Sequence, residues 1–157
     1  MAVFIYYLTL ALLLRLALLL HLACVSLVHK SLKLLNFSEV VIWLVTILFA
    51  LHPVQAESAA YISGRRELLY GVFFLLAIHQ YIRYQKTAAL GHYLLAVAAF
   101  ALAALANTVA LVLVPVLVLL DWLMAPGALG KAKGWLLKVP FLLIAGLVGY
   151  MALQRFI

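Results

Sequence analysis

Charge is what this chain has least of. Asp, Glu, Lys and Arg make up only 10% of its 157 residues, against 70% hydrophobic. A soluble domain of this length carries about a quarter charged residues, so an integral membrane protein is expected. Acidic side chains are the scarcest, four in all: Glu39, Glu57, Glu67 and Asp121. Cys24 is the single cysteine. It excludes an internal disulfide, leaves the redox compartment unspecified, and reads as packing against a neighbouring helix. The two-residue alternation of a membrane β-barrel is missing, as are a repeat of 20 to 50 residues, a low-complexity linker and a soluble domain. Haem-attachment, P-loop, Rossmann and nucleophile-elbow motifs are absent too.

What the chain does have is long apolar runs. Lipid offers backbone groups no hydrogen-bond partner, so such runs span as helices. Six spans are expected, at about Val3–Val28, Phe37–Leu51, Glu67–Tyr84, Ala88–Ala106, Thr108–Leu123 and Trp135–Leu153. The first has no basic segment before it, contains Arg15 and His21, and is too long for a signal peptide's apolar core. Asn107-Thr108 is the weakest boundary. About 36 residues from Ala88 to Leu123 overshoot a bilayer as one helix, which favours two. Pro53, Pro115 and Pro140 fall at or near span ends, or where a kink is tolerated, and Pro126-Gly127 with Gly130 marks a turn.

The formal charge of +7 does not point to nucleic acid, because the basic residues form small clusters between spans and not one face. Lys30 and Lys33, Arg83 and Lys86, and Lys131, Lys133 and Lys138 fall in alternate loops. Seven of the eleven basic residues thus follow the positive-inside rule. Both termini and the segment after His52 are then expected outside the cytoplasm. Arg65 and Arg66 sit on the side where positive charge is disfavoured, so topology does not explain them.

The His52–Leu69 segment therefore holds the best candidates. A short interfacial helix after Pro53 would align Glu57, Tyr61 and Arg65 at i, i+4 and i+8. Gly64 would turn the chain into the next span, with Glu67 suited to that helix's N-terminus. Arg65 and Arg66 at the same end form a phosphate-binding combination of guanidinium forks and free N–H groups. The alternative is that Glu57, Arg65, Arg66 and Glu67 neutralise one another at the headgroups; spacing does not choose between the two.

Elsewhere the polar residues are isolated. Arg15 is expensive in lipid; it faces protein or snorkels, and a partner subunit or Glu57 are its candidate counter-ions. A pairing of His21 with Arg15 has nothing to anchor it. His29, His79 and His92 are too scattered for metal-ligand spacing and read as interfacial, so no metal site is expected. Asp121, near a helix end beside Trp122, reads as a topological or capping residue and not as a proton carrier.

His52-Pro-Val-Gln-Ala-Glu57, followed by Tyr61-Ile-Ser-Gly-Arg65-Arg66-Glu67-Leu-Leu, resembles the signature of GT-C-type membrane glycosyltransferases. The type proteins are the transmembrane and tetratricopeptide-repeat O-mannosyltransferases and their bacterial relatives. Downstream, Tyr81-Ile-Arg83-Tyr84, the run from Pro115 to Asp121-Trp122, and Lys138-Val-Pro-Phe141 are similar to further family segments. His21 stands where the family often has Leu-Leu-His-x-x-Asn. The resemblance covers most of the chain and implies a central membrane segment that binds a polyprenyl-phosphate-linked sugar. Arg65 and Arg66 would hold the lipid phosphate, His52 and Tyr61 would shape the site, and Glu57 would be the one carboxylate able to act as general base.

The departures are specific. Gln55 replaces a second histidine, Cys24 an asparagine, and Ala106-Asn107 a Ser-Lys pair. The family's acidic catalytic loop would lie before this chain, and no tetratricopeptide-repeat region follows Ile157. The expectation is therefore an all-α integral membrane protein of about six transmembrane helices, with a short extracytoplasmic interfacial helix after the second. Residues 1–157 would form a single transmembrane domain, a partial GT-C-like bundle incomplete for catalysis. The alternative is a non-catalytic structural or accessory subunit of a larger membrane complex. Expected partners are membrane lipids and other membrane subunits, with no nucleic acid; a plasma (inner) membrane location follows from the family's distribution. A transporter or channel is disfavoured because few polar residues are available to line a pathway.

Overall fold

The computed structural model describes residues 1–53, 65–124 and 132–154, with the backbone alone at 2–4, 65, 132 and 133. The described residues are helical throughout, with short turns and no strand. The chain divides into two compact units, Met1–Val72 and Phe73–Ile157.

The first unit contains α1 (Ala2–Leu34) and α2 (Glu39–Leu51). At 33 residues, α1 is about 50 Å long, and its Ile5–Leu34 portion is long and apolar enough to cross a membrane. It runs past the expected end at Val28 because nothing in His29 to Leu34 breaks a helix. Asn36 stops it. Its backbone is left-handed, with φ 60°, a conformation that asparagine tolerates better than most residues. Phe37 N–H bonds the Leu32 carbonyl at 3.5 Å and Asn36 N–H bonds that of Lys33 at 3.2 Å. This paired closure satisfies two carbonyls that a helix end leaves free. Lys33 lies 3.8 Å from Glu39, but both side chains are about two-thirds exposed (67% and 66%), so the pair contributes little.

Small side chains at a seven-residue spacing, Ala17, Cys24 and Ser31, are the buried ones among the described side chains of α1. Ile42 and Thr46, one turn apart, are those of α2, which packs along α1. Histidines join the pair. His29 Nδ1 lies 3.4 Å from Thr46 Oγ1, and its ring tilts against Trp43 at 5.0 Å. His21 Nε2 lies 3.2 Å from the Ala50 carbonyl and its ring stacks on Phe49. A carbonyl only accepts, so His21 donates and satisfies one of the carbonyls left open at the end of α2. His21, unanchored in the sequence, therefore ties two helices together, and so does His29, expected to be interfacial.

The second unit begins within α3 (Arg65–Thr87) and continues through α4 (Leu90–Ala106), a 3-10 turn (Thr108–Val112), α5 (Leu113–Met124), α6 (Ala132–Leu136) and α7 (Val139–Leu153). Gly134–Leu153 is the second segment long and apolar enough to cross a membrane; Glu39–Leu51, Leu90–Ala106 and Thr108–Met124 are apolar but shorter. The break expected at Asn107-Thr108 is present. Asn107 has an extended backbone, and its side-chain oxygen accepts the Val109 N–H at 3.1 Å. Pro115 sits in the first turn of α5, where its missing N–H removes no helical hydrogen bond.

Along α4, Tyr93, Ala96, Phe100 and Ala103 are buried, the spacing of one helical face. Alanines on this face let neighbouring backbones approach. Phe141 of α7 fills the centre, with ring contacts to Tyr81 at 6.2 Å, Tyr93 at 6.1 Å and Phe100 at 5.5 Å. Between α3 and α4, Ala88 adopts φ 53°, which strains a residue with a Cβ by about 1–2 kcal/mol. Ala88→Gly is accordingly expected to stabilise the protein by about 1 kcal/mol, and Ala88→Val to destabilise it. SDS-titration unfolding followed by circular dichroism checks both directions.

Candidate functional site

The His52–Leu69 segment is only partly within the described residues. Glu57, Tyr61 and the expected interfacial helix lie outside them, as does the side chain of Arg65. His52 closes α2 with an extended backbone and is exposed. Arg66 and Glu67 occupy the first turn of α3 and are exposed, while Leu68 is buried. Arg66 makes no ion pair with any described residue.

A second polar constellation lies in the interior of the Phe73–Ile157 unit, and its residue roles were not foreseen. Tyr81 and Gln85 stand one turn apart on α3, Asp121 is in the last turn of α5, and Lys138 immediately precedes α7. Tyr81 OH donates to Asp121 Oδ1 at 2.7 Å, and Gln85 Nε2 donates to the same oxygen at 2.6 Å. The other carboxylate oxygen, Oδ2, accepts from Lys138 Nζ. The ammonium also donates to the Gly134 carbonyl at 3.2 Å and lies 3.4 Å from Tyr81 OH. Asp121 and Lys138 are each only 1% exposed and Tyr81 is fully buried.

Two expectations are corrected here. Asp121 lies near a helix end, as expected, but does not cap it; it is the acceptor of three side-chain donors. Lys138 is not a loop cation facing water, since its ammonium is buried against that carboxylate. A positive charge at a helix N-terminus opposes the dipole, and Asp121 offsets it. The sequence carried part of the signal: a carboxylate in an apolar stretch is costly to leave unpaired, and Tyr81 with Gln85 at i, i+4 supplies donors for it.

The surrounding polar groups extend the same closure. His92 Nδ1 donates to Gln80 Oε1 at 2.9 Å, and Tyr93 OH donates to the Leu137 carbonyl at 2.9 Å in the turn before α7. His92, expected at the interface, is thus spent on a buried glutamine. The three downstream stretches around Tyr81, Asp121 and Lys138-to-Phe141 meet in this one cluster. Chemically it is closed: every charged atom has partners and no face is left for a substrate. Its work is to hold α3, α5 and the start of α7 together.

Removing one member of a buried pair strands the other, which costs about 3–5 kcal/mol, whereas replacing both by apolar groups is often near neutral. Asp121→Leu and Lys138→Met are each expected to destabilise by that amount, and the double variant to recover most of the loss. Tyr81→Phe is expected to cost about 1.5–3 kcal/mol, the worth of a hydrogen bond to a charged group. SDS-unfolding free energies of the four variants, read as a double-mutant cycle for the pair, check this.

Comparison with protein-family models, curated proteins and solved structures returned no match to the chain.

Proposed function

We propose that the chain is a membrane module of the GT-C glycosyltransferase type that binds a polyprenyl phosphate through Arg65 and Arg66, and that it does not transfer sugar by itself. In this reading it crosses the plasma membrane six times with both termini and the 52–69 segment outside the cytoplasm. His52 and Tyr61 shape the site, and a polyprenyl-phosphate-linked sugar is the natural ligand. One observation carries it: Arg66 stands exposed in the first turn of α3 without an ionic partner among the described residues. A guanidinium beside free helical N–H groups suits a phosphate.

The catalytic half is weaker for a chemical reason. Acyl, phosphoryl or glycosyl acceptors need a base within hydrogen-bond reach. Asp121 has both oxygens occupied in a sealed interior, and Glu39 lies beside Lys33. Glu67 is exposed at the start of α3, where it complements the helix dipole. Glu57 remains as the candidate base, and Ala106-Asn107 stands where the family has its lysine. The same shortage of available carboxylates favours the second reading, a non-catalytic accessory subunit of a larger membrane complex.

Binding of polyprenyl phosphate, compared with neutral polyprenol, to the full chain in phosphatidylcholine nanodiscs tests the first reading. Arg65→Gln/Arg66→Gln is expected to weaken phosphate-dependent binding at least about tenfold, as loss of charged hydrogen bonds implies. Equal binding of phosphate and alcohol, or no effect of the double substitution, would overturn it. Sugar transfer by the purified chain that Glu57→Gln abolishes would refute the claim of catalytic incompleteness.

A further inference from the structure

Arg15 poses a problem that the described residues of the first unit leave unsolved. It is twelve residues beyond Val3 and thirteen before Val28, the ends of an otherwise nearly uncharged stretch. That is roughly 18–20 Å of helix on either side, further than an arginine side chain extends. In a membrane whose apolar half-thickness is about 15 Å, the guanidinium sits near the midplane and cannot snorkel out with ease.

The side chain also faces away from its own hairpin. The buried stripe on α1 is Ala17, Cys24 and Ser31. Arg15 is two residues from Ala17, so it lies about 160° around the helix from that stripe. It is exposed, and Leu8, Leu12, Leu19 and Leu22 beside it are exposed as well. Among the described residues Arg15 has no ion pair or hydrogen bond. The result is an apolar helical face with one cation at its centre that no described residue neutralises.

We infer that this face receives a transmembrane helix of another protein, one that carries a single Asp or Glu at mid-bilayer depth to neutralise Arg15. Charge selects that occupant. A leucine-lined helix without an acid would bury the guanidinium unpaired, the most costly arrangement for a buried charge. A second copy of this chain is poorly equipped among its described residues. Its Glu39 and Glu67 sit in the first turns of helices, and its Asp121 is committed to Lys138. The contact rests on neither reading of the 52–69 segment.

The test places a photo-crosslinking amino acid at Leu12, Leu19 or Leu22 of the full chain in its native membrane and sequences the adducts. The expected adduct joins a transmembrane segment that has an Asp or Glu within one turn of the crosslinked position. Its yield should fall on the order of tenfold or more in Arg15→Leu, since one partner of a desolvated charge pair is lost. It should be retained in Arg15→Lys, and restored when Arg15→Glu meets a lysine in place of the partner's acid. Arg15→Leu removes a charge from an apolar helix and so favours insertion; membrane abundance, measured in parallel, separates loss of contact from loss of protein. Adducts to lipid alone, to a second copy, to residue 57 of the same chain or to a segment without an intramembrane acid would overturn the inference. So would no adduct, or a yield indifferent to Arg15→Leu.

Discussion

The buried ion pair between Asp121 and Lys138 is the interaction around which the second half of this protein is organised. A charge that leaves water for an apolar interior loses far more than one neighbour returns, unless every remaining lone pair and proton finds a partner. Here the account is nearly complete. Tyr81 and Gln85 occupy one carboxylate oxygen, the ammonium occupies the other, and the Gly134 carbonyl takes a further proton of the lysine. Such a network is directional where the leucine-rich surroundings are not. Leu113 and Leu117 fill volume in several registers, but the carboxylate meets its donors in one. Phe141, three residues past Lys138, then falls among Tyr81, Tyr93 and Phe100, so the polar contact and the aromatic packing specify the same arrangement.

This closure divides the chain's few charges into two classes. Those of the Tyr81–Asp121–Lys138 cluster are consumed by the fold and offer no free valence to a ligand. Arg66 and Glu67 are exposed at the opening of α3, and Arg15 is exposed in the body of α1. In so apolar a chain a cation exposed and without an ion pair among the described residues is the group with capacity left for an outside partner, whether a lipid phosphate or a carboxylate on another helix. Three of the histidines fall with the consumed class. His21 closes the end of α2, His29 meets Thr46, and His92 meets Gln80.

Much of the architecture was legible in the residues. Apolar runs too long for loops gave helices where expected, and the boundary at Asn107 appeared because that side chain offers its own backbone an alternative to helical bonding. The extension of α1 to Leu34 was missed for the opposite reason. Hydropathy marks where lipid ends, whereas a helix ends where its carbonyls find another closure, at Asn36. Asp121 was misread because, taken singly, an acid beside Trp122 near a helix end looks like a cap. Its true partner is seventeen residues further along the chain, and nothing in the local spacing announces that.

The sequence by itself determined the class of solution: with one charged residue in ten, backbone groups must satisfy one another in helices, and isolated charges must either pair or face a partner. It also marked Arg15, Arg65 and Arg66 as residues that topology does not account for. Tertiary structure decided which charges were already spent. Lys138 belonged by its position to a basic cluster of loop residues, and only the convergence of α3, α5 and α7 turned it inward to Asp121. That decision is non-local, because a buried charge is tolerated or not according to the sum of its neighbours, and those neighbours come from three separate stretches of chain.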